Sequence, residues 1–332
     1  MWPARRFPAM PLVTLALSIL VALVAALAQP RAKPARIAVI ELTPGPPASA
    51  RPFVVAFQQH LRALGWVEGQ NLTIEWRWAE GSLDRFATLV EEVVRLPVEV
   101  LVVPSQVTGQ VAQQATATIP IVMVSAGSIG NTAPSLARPG GNVTGFANLG
   151  PELWTKRLEL LTQVVPGLTR VAVIRGLFPA TRELEALEVA ARALGVQLQH
   201  LQARDPTEID QAVAAAAREE AGALMIGAGG AGTFFPHRAQ LAELALTHRL
   251  PSISAGREFV AAGGLMNYGP SPGERGQRLA TYVDKLLNGA KPGDLPIEQP
   301  TQFEFVINLK TAQALGLTIP PSLLFQATEA LR

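Results

Sequence analysis

The sequence predicts an α/β protein made of two doubly wound parallel-sheet lobes joined by crossovers. Three observations predict it. Short apolar, β-branched runs alternate with stretches of helical periodicity. The same series of elements occurs twice, about 130 residues apart, a spacing that means two similar lobes and not a short-period solenoid. Several of the strand runs are apolar on both faces, as buried parallel strands are.

In the first copy, Arg36-Ile37-Ala38-Val39-Ile40 is a β-branched run and reads as a strand. Phe53, Ala56, Phe57, His60, Leu61 and Leu64 recur at helical spacing, and Gly65 stops that helix. Asn71 to Trp76 alternates as a second strand, Leu83 to Leu96 is a helix, and Val98 to Val103 a buried strand. Val107 to Thr116 is a helix, and Ile119 to Ser125 a strand running into a turn at Gly127.

The second copy then begins. Arg170-Val171-Ala172-Val173-Ile174 echoes Arg36 to Ile40, and Ala193-Leu194-Gly195 echoes Ala63-Leu64-Gly65. Val196 to Leu201, Glu208 to Arg218 and Ala223 to Ile226 match the second strand, second helix and third strand. Leu250 to Gly256 matches the run from Ile119 onward. Right-handed crossovers wind such units into doubly wound sheets, whose ligands sit beyond the carboxyl ends of the strands. Two lobes facing each other then leave a cleft for a small molecule.

The tail departs from the repeat. Gly264 to Gly269 reads as a strand, Gly273 to Leu287 as a helix, Glu304 to Asn308 as a last strand and Leu309 to Leu315 as a last short helix. These additions are expected to cross between the lobes as hinges. The first lobe is then residues 35–148 with about 266–300, and the second 149–265 with about 301–332.

The chain has 332 residues, 48% hydrophobic and 16% charged, with a formal net charge of +2. Removing residues 1–28 takes away Arg5 and Arg6 and no acid, which leaves the remainder formally neutral. Without a basic run there is no electrostatic footprint for nucleic acid. Cysteine is absent, which excludes disulfides, thiolate metal sites, a cysteine nucleophile and a lipid anchored through an N-terminal cysteine.

Arg5 and Arg6 form a positive start, and Leu12 to Ala28 is apolar or small apart from Thr14 and Ser18. Ala26-Leu27-Ala28 supplies a cleavage site, so residues 1–28 read as a signal peptide and the mature chain starts at Gln29. Retention as an uncleaved anchor is the alternative. Without a lipid anchor the cleaved product would be free in a periplasm.

Traces of catalysis are sparse. His60, His200, His237 and His248 do not pair at metal-ligand spacing. Glu91-Glu92 and Glu219-Glu220 are adjacent and point to different parts of a helix surface. No nucleophile elbow or Walker loop occurs. No enzyme, cofactor or metal is therefore expected. Gly227-Ala228-Gly229-Gly230-Ala231-Gly232 does satisfy G-x-G-x-x-G after a strand, so a nucleotide-dependent oxidoreductase is the remote alternative. Against it, the motif opens a third βα unit, and Ser252-Ile253-Ser254 supplies no acid for a ribose.

Long runs of the chain resemble one family, the ABC transporter substrate-binding proteins. Ala56 to Asn71 carries the resemblance, with Ile74 to Gly81, Thr118 to Val122, Ser135 to Gly145 and Lys156 to Leu161. Arg257 to Gly264 and Pro300 to Ala312 complete it. The resemblance implies a fold like the type I periplasmic binding proteins, with three crossovers and ligand capture by closure. The expected partners are a small-molecule ligand and an ABC transporter permease in the inner membrane, and the protein is expected to be a monomer. The implied ligand is a small polar molecule, an amino acid or related carboxylate, since some members bind tryptophan or other aromatic amino acids. An exported sensor that presents its ligand to a membrane receptor or kinase is the alternative.

Three loops depart from the family. Gly127-Ser128-Ile129 stands where members carry Gly-Asp-Pro, Arg175-Gly176-Leu177-Phe178 where they carry Asn-Pro, and Gly229-Gly230 where they carry Pro-Asp. Two cleft acids are lost and Arg175 is gained, which favours an anion over an amino acid's ammonium. Candidate ligand residues follow from loops at strand ends. The first lobe offers Ser105, Gln106, Thr108, Ser125 and Ser128, where a helix N-terminus also points its N–H groups. Ser105 and Thr108 are equally natural helix caps. The second lobe offers Arg175, Phe178, Arg257 and Glu258, and the crossovers Asn148 and Tyr268. Arg257 and Glu258 read alternatively as a salt bridge between the lobes.

Overall fold

A computed structural model of the protein describes residues 33–42, 52–124, 135–147, 149–176, 181–227 and 234–332. The expected leader, residues 1–28, lies outside them. The first copy comprises β1 (Ala35–Glu41), α1 (Pro52–Ala63), β2 (Leu72–Trp78), α2 (Leu83–Val94), β3 (Val100–Val103), α3 (Gln106–Ala115), β4 (Ile121–Met123) and β5 (Val143–Gly145). The second comprises α4 (Gly150–Val164), β6 (Arg170–Arg175), α5 (Thr181–Leu194), β7 (Gln197–Gln202), α6 (Pro206–Arg218), β8 (Ala223–Ile226), α7 (Arg238–Thr247), β9 (Ser252–Ser254), α8 (Arg257–Ala261) and β10 (Met266–Pro270). The tail adds α9 (Pro272–Leu287), a 3₁₀ turn (Pro292–Asp294), β11 (Phe303–Asn308), α10 (Leu309–Ala314), α11 (Pro321–Gln326) and β12 (Glu329–Leu331).

Two sheets result, as the repeat predicts. The first has the order β2-β1-β3-β4-β5 with every pairing parallel. Successive residues of its buried strands face opposite sides. Ile37, Val39, Val100, Val102 and Val122 meet α1 and α9 on one face. Ala38, Ile40, Leu101, Val103 and Ile121 meet α2 and α3 on the other. The second sheet divides in the same way. Val171, Val173 and Met225 pack with α4 and α5, while Ala172, Ile174 and Leu224 pack with α6 and α7.

The second sheet has the order β12-β11-β10-β9-β8-β6-β7. Its stretch β7-β6-β8-β9-β10 repeats the order of the whole first sheet, so the repeat runs one strand further than the sequence pattern revealed. Each fifth strand carries a glycine at or next to its end that meets the neighbouring backbone. A Cβ on Gly145 would lie 2.1 Å from the Met123 carbonyl oxygen, and one on Gly269 would lie 2.2 Å from that of Ala255.

Three expectations change here. Met266–Pro270 belongs to the second sheet, between β9 and β11, so the return to the first sheet begins after it and not at about 266. The second sheet is also not wholly parallel, because β10 and β11 run antiparallel. Finally, α10 is not the last element. The chain continues into α11, whose Leu323 is fully buried, and into β12, parallel to β11.

Three chain crossings lie side by side between the sheets. Residues leaving β5 bridge to Glu298: Ala147 N–H donates to the Glu298 carbonyl at 2.8 Å, and Glu298 N–H to that of Gly145 at 3.1 Å. The crossing after β10 joins the same segment further on, where Ser271 N–H donates to the Gln302 carbonyl at 2.9 Å. α9 then lies along α1, so close that a Cβ on Gly276 would be 2.5 Å from the Phe53 carbonyl oxygen.

Candidate functional site

The ends of β1, β3, β6, β9 and β10 place the site, since parallel strands of each sheet share one carboxyl edge. Ser105 follows β3 and caps α3. Its hydroxyl accepts from Thr108 N–H at 3.3 Å, and Thr108 Oγ1 accepts from Ser105 N–H at 2.9 Å. Thr108 also donates to the Ser105 carbonyl at 2.8 Å and is fully buried. Its hydroxyl is therefore committed to the cap. Gln106 opens the helix and is half-buried.

Arg175 ends β6 beside Gln202 of β7. Its Nε is shut off from solvent and has no hydrogen-bond partner. Arg257 and Glu258 open α8, directly after β9. The alternative reading of these two as a salt bridge between the lobes does not hold for Arg257. Arg257 donates to Glu329 of β12 at 2.7 Å and reaches Glu304 of β11 at 4.0 Å, both in its own sheet. Tyr268, in β10, stacks parallel on Phe303 with ring centroids 5.9 Å apart. Its carbonyl accepts from the buried Arg157 Nε at 2.7 Å. Burial lowers the Arg157 pKa to about 10, an effect opposed by the nearby Tyr268. Ser125, Ser128, Asn148 and Phe178 lie outside the described residues, as does the glycine motif beyond Gly227.

The structure adds residues that the sequence reading passed over. Arg275 lies in the first turns of α9, just past the second crossing, with its guanidinium 5.8 Å from the centre of the Phe53 ring. Its Nε is buried without a hydrogen-bond partner. Burial lowers its pKa, while Glu258, Glu41 and Glu304 oppose that shift. Glu41 ends β1 of the first sheet, whereas Glu258 and Glu304 belong to the second. Burial raises the Glu304 pKa against the pull of Arg257. Arg275 had no counterpart in the repeat, so no internal comparison pointed to it. The one clue was its position in the first turn of the helix that follows Pro270 and Ser271.

Trp66, Trp76 and Trp78 lie on the side of β2 and α9. Trp66 Nε1 donates to Asp284 at 2.9 Å, and Trp76 stacks on Trp78. Trp154 is fully buried under Gly227. A shallow groove of about 470 Å³ runs along α5 past Leu184, Glu188 and Val189, and holds none of the candidate residues.

Known proteins align with this geometry along most of the chain. A "Tyrosine-binding protein" of Clostridioides difficile is 23% identical over 270 residues, covering 79% of this chain and 75% of its own. The crystal structure of a conserved domain protein from Vibrio cholerae superposes with a TM-score of 0.80 at 26% identity, covering 90% of this chain and all of that one. An ABC domain from Streptococcus pneumoniae, solved in complex with L-Trp, superposes at 0.79 with 22% identity and covers the same 90%. The family described as "ABC transporter substrate binding protein" matches residues 36–331, from the first strand to the last, and this chain belongs to it.

Proposed function

We propose that the protein captures an aromatic amino acid, or a closely related carboxylate, between its two sheets and presents the closed form to the permease of an ABC transporter in the inner membrane. The first lobe is residues 35–147 with 271–300, and the second is 149–270 with 301–332. Residues 1–28 direct export, and the mature chain works in the periplasm as a monomer, with no catalytic step and no nucleic-acid partner.

The observation that carries this reading is the family match from residue 36 to 331 over two similar sheets linked by three crossings. The ligand class is supported by two relatives, one named a tyrosine-binding protein and one solved with L-Trp. The loops argued for an anion, because two acids are missing from them. Every Asp and Glu of the chain is among the described residues, and Glu41, Glu258 and Glu304 gather around Arg275. Acids at positions other than those loops are thus available for an ammonium.

A thermal-shift screen of residues 29–332 tests the proposal, with aromatic and aliphatic amino acids, simple carboxylates and NAD. L-Tyr or L-Trp at a hundredfold excess over Kd is expected to add about 2.7 kcal/mol of stability. A shift with NAD alone, or with neither an aromatic amino acid nor a carboxylate, refutes it.

A further inference from the structure

Two opposite charges are left unpaired beside the crossings, one on each side. Arg275 rises from α9, which packs on the first sheet through α1. Its Nε is enclosed and has no hydrogen-bond partner, and no carboxylate comes within ion-pair distance of it among the described residues. Glu258 stands in the first turn of α8, at the carboxyl edge of the second sheet. It is half-buried, and its carboxylate has no hydrogen bond or ion pair among the described residues. Neighbouring charges behave otherwise. Glu304 is engaged by Arg257 at 4.0 Å and by the Ser271 hydroxyl at 3.4 Å, and Arg278 is engaged by Glu274 at 3.2 Å.

A desolvated charge without a partner is costly, and a protein relieves it by pairing or by binding a ligand. Here Glu258 acts on Arg275 through its charge, yet the two do not close on each other. A molecule bearing both charges a few bonds apart would satisfy both at once, and in doing so would tie α8 to α9. The Phe53 ring, its centre 5.8 Å from the guanidinium carbon, covers one side of the group, and a guanidinium pairs through its N–H groups with the two oxygens of a carboxylate.

We propose that Arg275 receives the α-carboxylate of the captured amino acid and Glu258 its α-ammonium, so that the ligand's own zwitterion is the bridge between the lobes. This rests on the reading that the cleft takes an amino acid, and it names the two residues that read the common part of any such ligand. The side chain of the ligand is left for other contacts.

The test is calorimetric titration of residues 29–332 and of the variants Arg275→Gln and Glu258→Gln. The probes are L-tyrosine, tyramine, which lacks the carboxylate, and 3-(4-hydroxyphenyl)propanoate, which lacks the ammonium. The unmodified protein should prefer L-tyrosine to both analogues. R275Q should weaken L-tyrosine by about thirtyfold or more, the scale expected when one partner of a buried charge pair is truncated, and should no longer discriminate against tyramine. E258Q should instead lose its discrimination against the propanoate. Neither variant should melt lower than the parent without ligand, because each removes an unpaired charge. An R275Q variant that binds L-tyrosine within threefold of the parent, or still rejects tyramine, overturns the assignment while leaving amino-acid capture standing. A parent protein that binds an aliphatic amino acid in place of L-tyrosine refutes only the aromatic reading, and the same cross-pattern is then read with that ligand's amine and acid. A parent protein that binds no amino acid at all removes both.

Discussion

Single side chains at the crossings carry more of the molecule's behaviour than their number implies. Glu274 is 6% exposed and gathers the segment before β11. Its carboxylate accepts from Gln302 N–H at 2.8 Å and from Thr301, and it pairs with Arg278, which also reaches Glu298. Burial by itself would raise its pKa, but the bonds from Thr301 and Gln302 and the charge of Arg278 outweigh burial and hold it below the ordinary value. A carboxylate with a depressed folded pKa contributes stability above its unfolded pKa, and that contribution is lost as the pH falls through the folded one. Glu274→Gln should therefore melt lower than the parent at neutral pH, and the gap should narrow as both are measured down to about pH 3. A constant gap would show that the charge is not what Glu274 supplies. Gly145 tests backbone shape. Its φ is +139° and a side chain would strike the Met123 carbonyl, so Gly145→Ala should cost about 2 kcal/mol or more in denaturant unfolding.

Among the elements, α3 shows how one feature serves two readings. Ser105 and Thr108 were expected as ligand contacts and as caps, and the reciprocal bonds between them make a capping box. Ser105→Ala should cost about 1 kcal/mol of stability, read from the denaturant midpoint at unchanged slope. Thr108→Val should also destabilise, yet leave ligand affinity unchanged, since the buried hydroxyl is already used by the backbone. The C-terminal pair α11 and β12 closes one edge of the second sheet, with Leu323 in its core and Glu329 on Arg257. Ending the chain at residue 320 should lower the melting temperature and expose that edge. An unchanged melting temperature would show that the sheet ends functionally at β11.

At the scale of the whole molecule, a ligand that pairs with both sheets stabilises the closed arrangement by its differential affinity for that state. Small-angle scattering should record a smaller radius of gyration with the cognate ligand than without it, and no change in R275Q at a concentration that saturates the parent. The architecture was legible in the chain because apolar periodicity and the echo of Arg36–Ile40 in Arg170–Ile174 are local signals, written by which residues must be buried. The sequence by itself determined the two α/β copies, their helix caps and stops, and the family resemblance. It could not place β10, because a short run such as Met266–Pro270 pairs with whichever sheet edge the chain brings near. Nor could it pair Arg257 with Glu329, or set Arg275 among acids drawn from β1, α8 and β11. Those partners are remote along the chain and carry no common pattern. Only the tertiary structure decided them, because electrostatic partners are chosen by distance in space after the hydrophobic faces have fixed where each strand lies.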